Sequence, residues 1–302
     1  MPAKIIFNNK FRAVHTIQKV NITGTTLLIG LNQSAYQRFT DATDIAIFAH
    51  SQTPKAGAFF WIFKDAAISG RFMIPLANRL AEEMQVYIPD YPECGWSDKP
   101  ADPPNVSELT DIMCKWMDSL HTKQAMFVGN SLESQVAIDL AYRYPDRVAR
   151  LVLTGVSPEP GFRLLLGQYG RQLLSMQLEP ISMKMIYFME FMQTGLLRMI
   201  RMIQRTSNNP IEEKLPYLTM PVLVMRGKRD MVVSQNWSEK VTELLPHARL
   251  QVITGKAHSI VYSAYDQVAD MTLSFMREET TLEASTGSDQ QTEMSGTASA
   301  TL

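Results

Sequence analysis

Val128-Gly129-Asn130-Ser131-Leu132 stands between a short apolar run, Ala125 to Val128, and a helical pattern from Ser134 to Arg143. A serine on a tight strand-to-helix turn is lifted above the edge of a sheet. There the backbone N–H of Leu132, at the helix N-terminus, can face a developing oxyanion. Gly129 is the small residue two positions earlier that such a turn needs for steric room. The same letters also read as an ordinary helix N-cap, because serine caps helices often and Gly-x-Ser recurs by chance.

The downstream sequence separates the two readings. A serine hydroxyl is a weak nucleophile unless a base takes its proton and a third group orients that base. Met225-Arg226-Gly227-Lys228-Arg229-Asp230 puts a carboxylate just past one apolar run. Ile253-Thr254-Gly255-Lys256-Ala257-His258 puts an imidazole just past the next. Ligand sites in open parallel sheets lie at the carboxyl ends of strands, so Ser131, Asp230 and His258 are expected on one rim. Singly, Asp230 reads as a turn former or cap and His258 as a loop histidine. Together, in this order, they read as nucleophile, acid and base.

The rest of the chain supplies a scaffold for such a rim. Alternating runs at Arg12–Val20 and Thr25–Leu31, joined by Asn21-Ile22-Thr23-Gly24, predict a β-hairpin. Apolar runs at 44–48, 85–88, 125–128, 151–154, 221–225 and 250–253 suit strands buried on both faces of a parallel sheet. Helical periodicity falls at 71–84, 106–120, 134–143 and 237–245. Alternation of this kind predicts an α/β fold with right-handed crossovers. The stretch 158–211 breaks the pattern, with helical periodicity rich in Leu, Met and Phe and no strand candidate. Residues 279–302 are Ser/Thr/Gly/Gln-rich, too polar to offset chain entropy by burial, and are expected to form a disordered tail.

Composition excludes several function classes. The 302 residues are 45% hydrophobic, enough for one sizeable core. Lys plus Arg number 29 against 30 for Asp plus Glu, a net charge of −1 that gives no reason to expect nucleic acid or an anionic membrane as partner. Cys94 and Cys114 fit neither a metal-ligand spacing nor a disulfide framework. With no apolar signal-like run after Met1 and no spanning stretch, a cytoplasmic protein is the expectation. No metal or organic cofactor is implied.

The chain resembles the α/β-hydrolase fold superfamily, in particular its single-domain esterase, lipase and C–C-bond hydrolase-like group. The resemblance runs from about Asp44 to Phe275. It rests on His50, on Asp90-Tyr91-Pro92-Glu93-Cys94-Gly95-Trp96-Ser97-Asp98-Lys99-Pro100, on the serine turn with Tyr142 to Val148 behind it, on Arg226–Asp230 and on Gly255–His258. It implies a mostly parallel sheet flanked by helices, with the core at 1–157 and 212–278 and a helical cap at 158–211 over the site. It also implies that His50 ends the strand before an oxyanion loop, so that the N–H of Gln52 joins that of Leu132. Three departures remove glycine: Ser51 follows His50, Glu93 opens the Gly-x-Gly-x-Ser loop, and Glu133 replaces the closing Gly of Gly-x-Ser-x-Gly. A glutamate at 133 must be solvated, paired or protonated. A tip that reaches solvent is harmless, whereas a charge within about 6 Å of the oxyanion opposes its formation.

In the cap stretch, seven of the chain's 19 methionines lie between Met176 and Met202. Met189 and Met192 are taken as wall residues of a pocket for a flexible, apolar small molecule, ordinary helix packing being the alternative. Arg198, Arg201 and Arg205 share a helical face and read as solvated, with a membrane-surface strip as the alternative. The residues point first to a serine hydrolase of an ester, thioester or related acyl substrate. A hydrolase-fold binder without turnover, or a lyase or C–C hydrolase using the same three residues, are the other readings. Dehalogenation is disfavoured, since it wants a carboxylate at position 131.

Overall fold

The computed structural model describes residues 16–22, 25–31, 45–50 and 59–63 as backbone strands, together with 70–89, 100, 102–160, 165–207 and 209–278. Cys94, Glu93, Ser51, Gln52 and the 279–302 tail therefore lie outside the described residues.

Nine strands form one sheet in the order β1-β2-β3-β5-β4-β6-β7-β8-β9. They are β1 (Thr16–Ile22), β2 (Thr25–Leu31), β3 (Ile45–His50), β4 (Phe59–Phe63), β5 (Gln85–Pro89), β6 (Ala125–Asn130), β7 (Val148–Thr154), β8 (Val222–Gly227) and β9 (Ala248–Ile253). The expected hairpin is present: β1 and β2 pair antiparallel, with Ile22 opposite Thr25. From β5 through β4, β6, β7 and β8 to β9 every neighbouring pair is parallel.

One strand escaped the sequence reading. Phe59-Phe60-Trp61-Ile62-Phe63 forms β4, between β5 and β6. It is β4, not the strand ending in His50, that flanks the serine strand, with Phe63 level with Gly129. β3 runs antiparallel to β5 and pairs His50 with Val86, while Ile47 pairs with Pro89. His50 therefore ends its strand at the edge of the sheet opposite to Ser131. The expectation that His50 borders the site is corrected by this reversal of strand direction.

The continuous apolar runs are explained by burial on both faces. Phe127, Leu151, Leu153, Val222 and Val224 point into one core with Trp116, Val136 and Trp237. Their alternates Val128, Val152, Leu223 and Met225 point into a second core with Phe72, Leu76, Ile260 and Val268. Each fully buried side chain of this size contributes roughly 1.5–3 kcal/mol. The first face is covered by α2 (Val106–Ser119), α3 (Ser134–Arg143) and α7 (Gln235–Leu244), the second by α1 (Ile74–Leu80), α8 (Ile260–Ser263) and a last helix at 265–278. Asn105 starts α2 with a reciprocal capping box to Glu108. Between β7 and β8 stand three helices, α4 (Leu165–Gln177), α5 (Ile181–Thr194) and α6 (Leu196–Ser207).

Candidate active site

Ser131 directly follows β6 and adopts φ +55°, a left-handed conformation that costs a non-glycine residue about 1–2 kcal/mol. The chain then makes a 3-10 turn, Ser131–Glu133, and runs straight into α3. A Cβ on Gly129 would lie 2.8 Å from the Ser134 Cα and 3.2 Å from the Ala137 Cβ, so the strand can approach its own helix only with glycine there. Beneath the turn, the Thr154 hydroxyl donates to Asn130 Oδ1 at 2.9 Å. Ser131 and Leu132 are both buried.

The predicted convergence is met. Asp230 and His258 follow β8 and β9, and Ser131 Oγ lies 2.9 Å from His258 Nε2. His258 Nδ1 lies 2.8 Å from Asp230 Oδ2. The other Asp230 oxygen accepts the N–H groups of Val232 and Val233, at 2.8 and 3.0 Å. Burial pushes the Asp230 carboxyl up, but the His258 charge and hydrogen bond and the two backbone donors outweigh it. They hold the group below the ordinary carboxylate range. An ionised carboxylate only accepts, so a neutral His258 ring carries its proton on Nδ1 and turns the Nε2 lone pair to the serine hydroxyl. The Ser131 hydroxyl then donates to Nε2, which leaves the Ser157 hydroxyl, 3.2 Å from Ser131 Oγ, as donor to it.

Two glycines hold these loops together. Gly227 leaves β8 where a Cβ would collide with the carbonyls of Lys256 and Ala257. The two loops are tied there by Arg229 N–H to Lys256 O and Lys228 N–H to Ile253 O, both 2.8 Å. Gly155, just past β7 at φ +53°, packs under the imidazole. Buried Arg226 donates to the carbonyls of Asp230 and Val233 and so holds the acid's loop from behind.

Sequence reasoning missed Ser157, Gly155 and Glu179. Glu179 sits in the turn between α4 and α5, is 5% exposed, and accepts the Ser259 N–H at 2.8 Å. Its second oxygen is buried without a hydrogen-bond partner. Burial raises its pKa above the ordinary value, against the Ser259 N–H and the His258 charge. Arg171 of α4 donates to Met231 O at 2.9 Å and to Glu159 at 2.8 Å. The insertion is thus tied to the residue after the acid and to the residue after the histidine. No periodicity marks such contacts, because they join segments far apart in sequence.

Other expectations change. Glu133 is 3% exposed, so its tip does not reach solvent as the gentler reading supposed. Its backbone is ordinary helical, φ −74° and ψ −12°, at the start of α3. Met189 and Met192 are 41% and 66% exposed and lie on the outer side of α5. The expectation that they line the pocket is corrected, because α5 turns Met183 and Glu190 inward instead.

The family described as alpha/beta hydrolase fold matches residues 66–178. The chain is 25% identical to the proposed carbamate hydrolase RutD of Caulobacter sp. (strain K31), over 69% of this chain and 86% of that protein. It is 42% identical over 77 residues to a 2-hydroxymuconate semialdehyde hydrolase of Pseudomonas sp. (strain CF600), 25% of this chain and 27% of that one. Among solved structures, the enol-lactonase of Burkholderia xenovorans LB400 superposes with a TM-score of 0.69 at 17% identity, over 86% of this chain and all of its own. With its sheet order, its serine turn and these matches, the chain has the α/β-hydrolase fold, and its residues 66–178 match that family.

Proposed function

We propose that this chain is a serine hydrolase of an ester, thioester or related acyl substrate, with Ser131 as nucleophile, His258 as base and Asp230 as the acid that orients it. The observation that carries the reading is the unbroken chain of hydrogen bonds Ser131–His258–Asp230, at 2.9 and 2.8 Å and wholly buried. In the first half-reaction Ser131 Oγ bonds to the carbonyl carbon as its proton passes to His258 Nε2. The Asp230 carboxylate holds the resulting imidazolium. Collapse of the tetrahedral intermediate breaks the bond to the leaving group, which takes the proton back from Nε2. Water then repeats the sequence on the acyl-enzyme and frees the acid.

The oxyanion is received by the N–H of Leu132. β4 runs parallel to the serine strand, with Phe63 level with Gly129. Gln52, the second donor that the family resemblance implies, lies outside the described residues. Residues 158–211 act as the cap over this rim, consistent with the ties from Glu179 and Arg171. A second reading, carbon–carbon bond hydrolysis by the same residues, is favoured by the 42% identity to the semialdehyde hydrolase.

Fluorophosphonate labelling and p-nitrophenyl ester turnover by wild type and Ser131→Ala test the proposal. Both signals are expected to vanish in the variant, and activity retained there would end the reading. Turnover of a vinylogous ring-cleavage diketone but of no ester would select the carbon–carbon alternative. Ligand binding without labelling of wild type would mark a binder.

A further inference from the structure

We propose that the outer face of α5, continued by α4 and α6, docks on an anionic lipid surface. Ile181, Met185, Phe188 and Met192 are spaced four, three and four residues apart, which places them in one stripe along α5. They are 77%, 55%, 60% and 66% exposed. The opposite side of the same helix is buried: Met183 at 0%, Glu190 at 1% and Thr194 at 6%. A helix facing water does the reverse, turning its charge outward and its methionine and phenylalanine inward. Leu173 and Leu174 of α4, 67% and 56% exposed, are further apolar side chains that the insertion leaves uncovered. Single exposed apolar side chains are commonplace, but a continuous stripe marks a contact surface.

The charges select the occupant. Between residues 165 and 207 the only acids are Glu179 and Glu190, and both are buried. The bases are Arg171, Lys184, Arg198, Arg201 and Arg205. Arg171 is paired with Glu159, and Arg205 faces the exposed Asp102 at 3.4 Å. Lys184 lies on the edge of the α5 stripe, and Arg201 stands on the exposed face of α6. Two copies meeting through this face would bring like charges together, whereas anionic headgroups are attracted to it. Among the described residues no helix is long and apolar enough to cross a membrane, so the contact is one of helices lying in the interface. This docking does not depend on the hydrolase reading. It bears on it, because Glu179, which holds the Ser259 N–H beside His258, lies between exposed Leu178 and Ile181.

Cosedimentation of the full chain with phosphatidylcholine vesicles, with and without phosphatidylserine, tests the proposal. Wild type is expected to pellet with the anionic vesicles and to be released by salt. Met185→Glu/Phe188→Glu should weaken binding at least roughly tenfold, since two apolar side chains lose their burial. Arg201→Gln should weaken it about fivefold, the loss of one basic contact. Thermal melting reports whether the variants remain folded. If the glutamates unfold the chain, Ile181→Ser/Met192→Ser replaces them. Failure of wild type to bind anionic vesicles overturns the proposal, and so does equal binding by the stripe variants. Self-association that the stripe variants abolish, without vesicle binding, would assign the face to a second copy and overturn it too.

Discussion

A Cβ placed on Gly155 would stand 2.7 Å from His258 Cε1 and 3.0 Å from Nδ1. The imidazole therefore rests on a backbone that has no room for any side chain. Gly155 also sits at φ +53°, where an L side chain is strained. The position is set by the strand between the serine strand and the acid's strand, and it fixes how deep the ring lies.

Gly155→Ala is accordingly expected to act on the site more than on the fold. The methyl group must push the ring away from Ser131, and a displacement of about 1 Å costs on the order of 100-fold in rate. Backbone strain adds about 1–2 kcal/mol of destabilisation. Fluorophosphonate labelling rates beside urea melts check this. Labelling at the wild-type rate would show that the glycine does not set the ring.

Ser131→Gly and Ser131→Ala should both lose labelling, but they should differ in stability. Both remove the same hydroxyl, and only alanine keeps a Cβ in the left-handed conformation at φ +55°. The glycine variant is expected to be the more stable by about 1 kcal/mol. Equal melting midpoints would mean that the serine turn stores no strain.

Asp230→Asn leaves the shape of the loop but offers the ring a neutral partner, which permits the wrong tautomer. Loss of about 10⁴-fold in kcat is expected, with little change in KM. The wild-type carboxyl is held below its ordinary range. Its stabilising contribution is thus present above the unfolded carboxylate pKa and lost as pH falls through the lower, folded value. Stability measured down that acid limb should fall more steeply for wild type than for the asparagine variant.

Glu179 has the opposite sign. Its folded pKa is raised, chiefly by burial, so its contribution is full below the unfolded value and is lost as pH rises through the folded one. Glu179→Gln keeps an oxygen for the Ser259 N–H and removes the buried charge. It should be the more stable at pH 8, by about 1–3 kcal/mol for a carboxylate with one unpartnered oxygen. The gap should close toward pH 4, where the wild-type group is protonated. A wild type more stable than the glutamine variant at pH 8 would show that the charge is favourably paired.

Much of the scaffold is legible in the sequence. The runs at 125–128, 151–154 and 221–225 are apolar without alternation because each of these strands is covered on both sides. β4 was missed because five consecutive aromatic and apolar residues carry no periodicity that distinguishes a strand from a buried turn of helix.

Residue type and spacing, acting locally, determined that Ser131 would sit on a glycine-relieved turn and that Asp230 and His258 would follow strand ends. Parallel strands bring their carboxyl ends to one rim, and for that reason the three could be matched across 127 residues of sequence separation. Strand direction, the burial of Glu133 and Glu179, and the outward turn of Met189 and Met192 were decided only in three dimensions. Each depends on which side of an element faces a neighbour, and a helix as uniformly apolar as α5 does not record that choice along its own sequence.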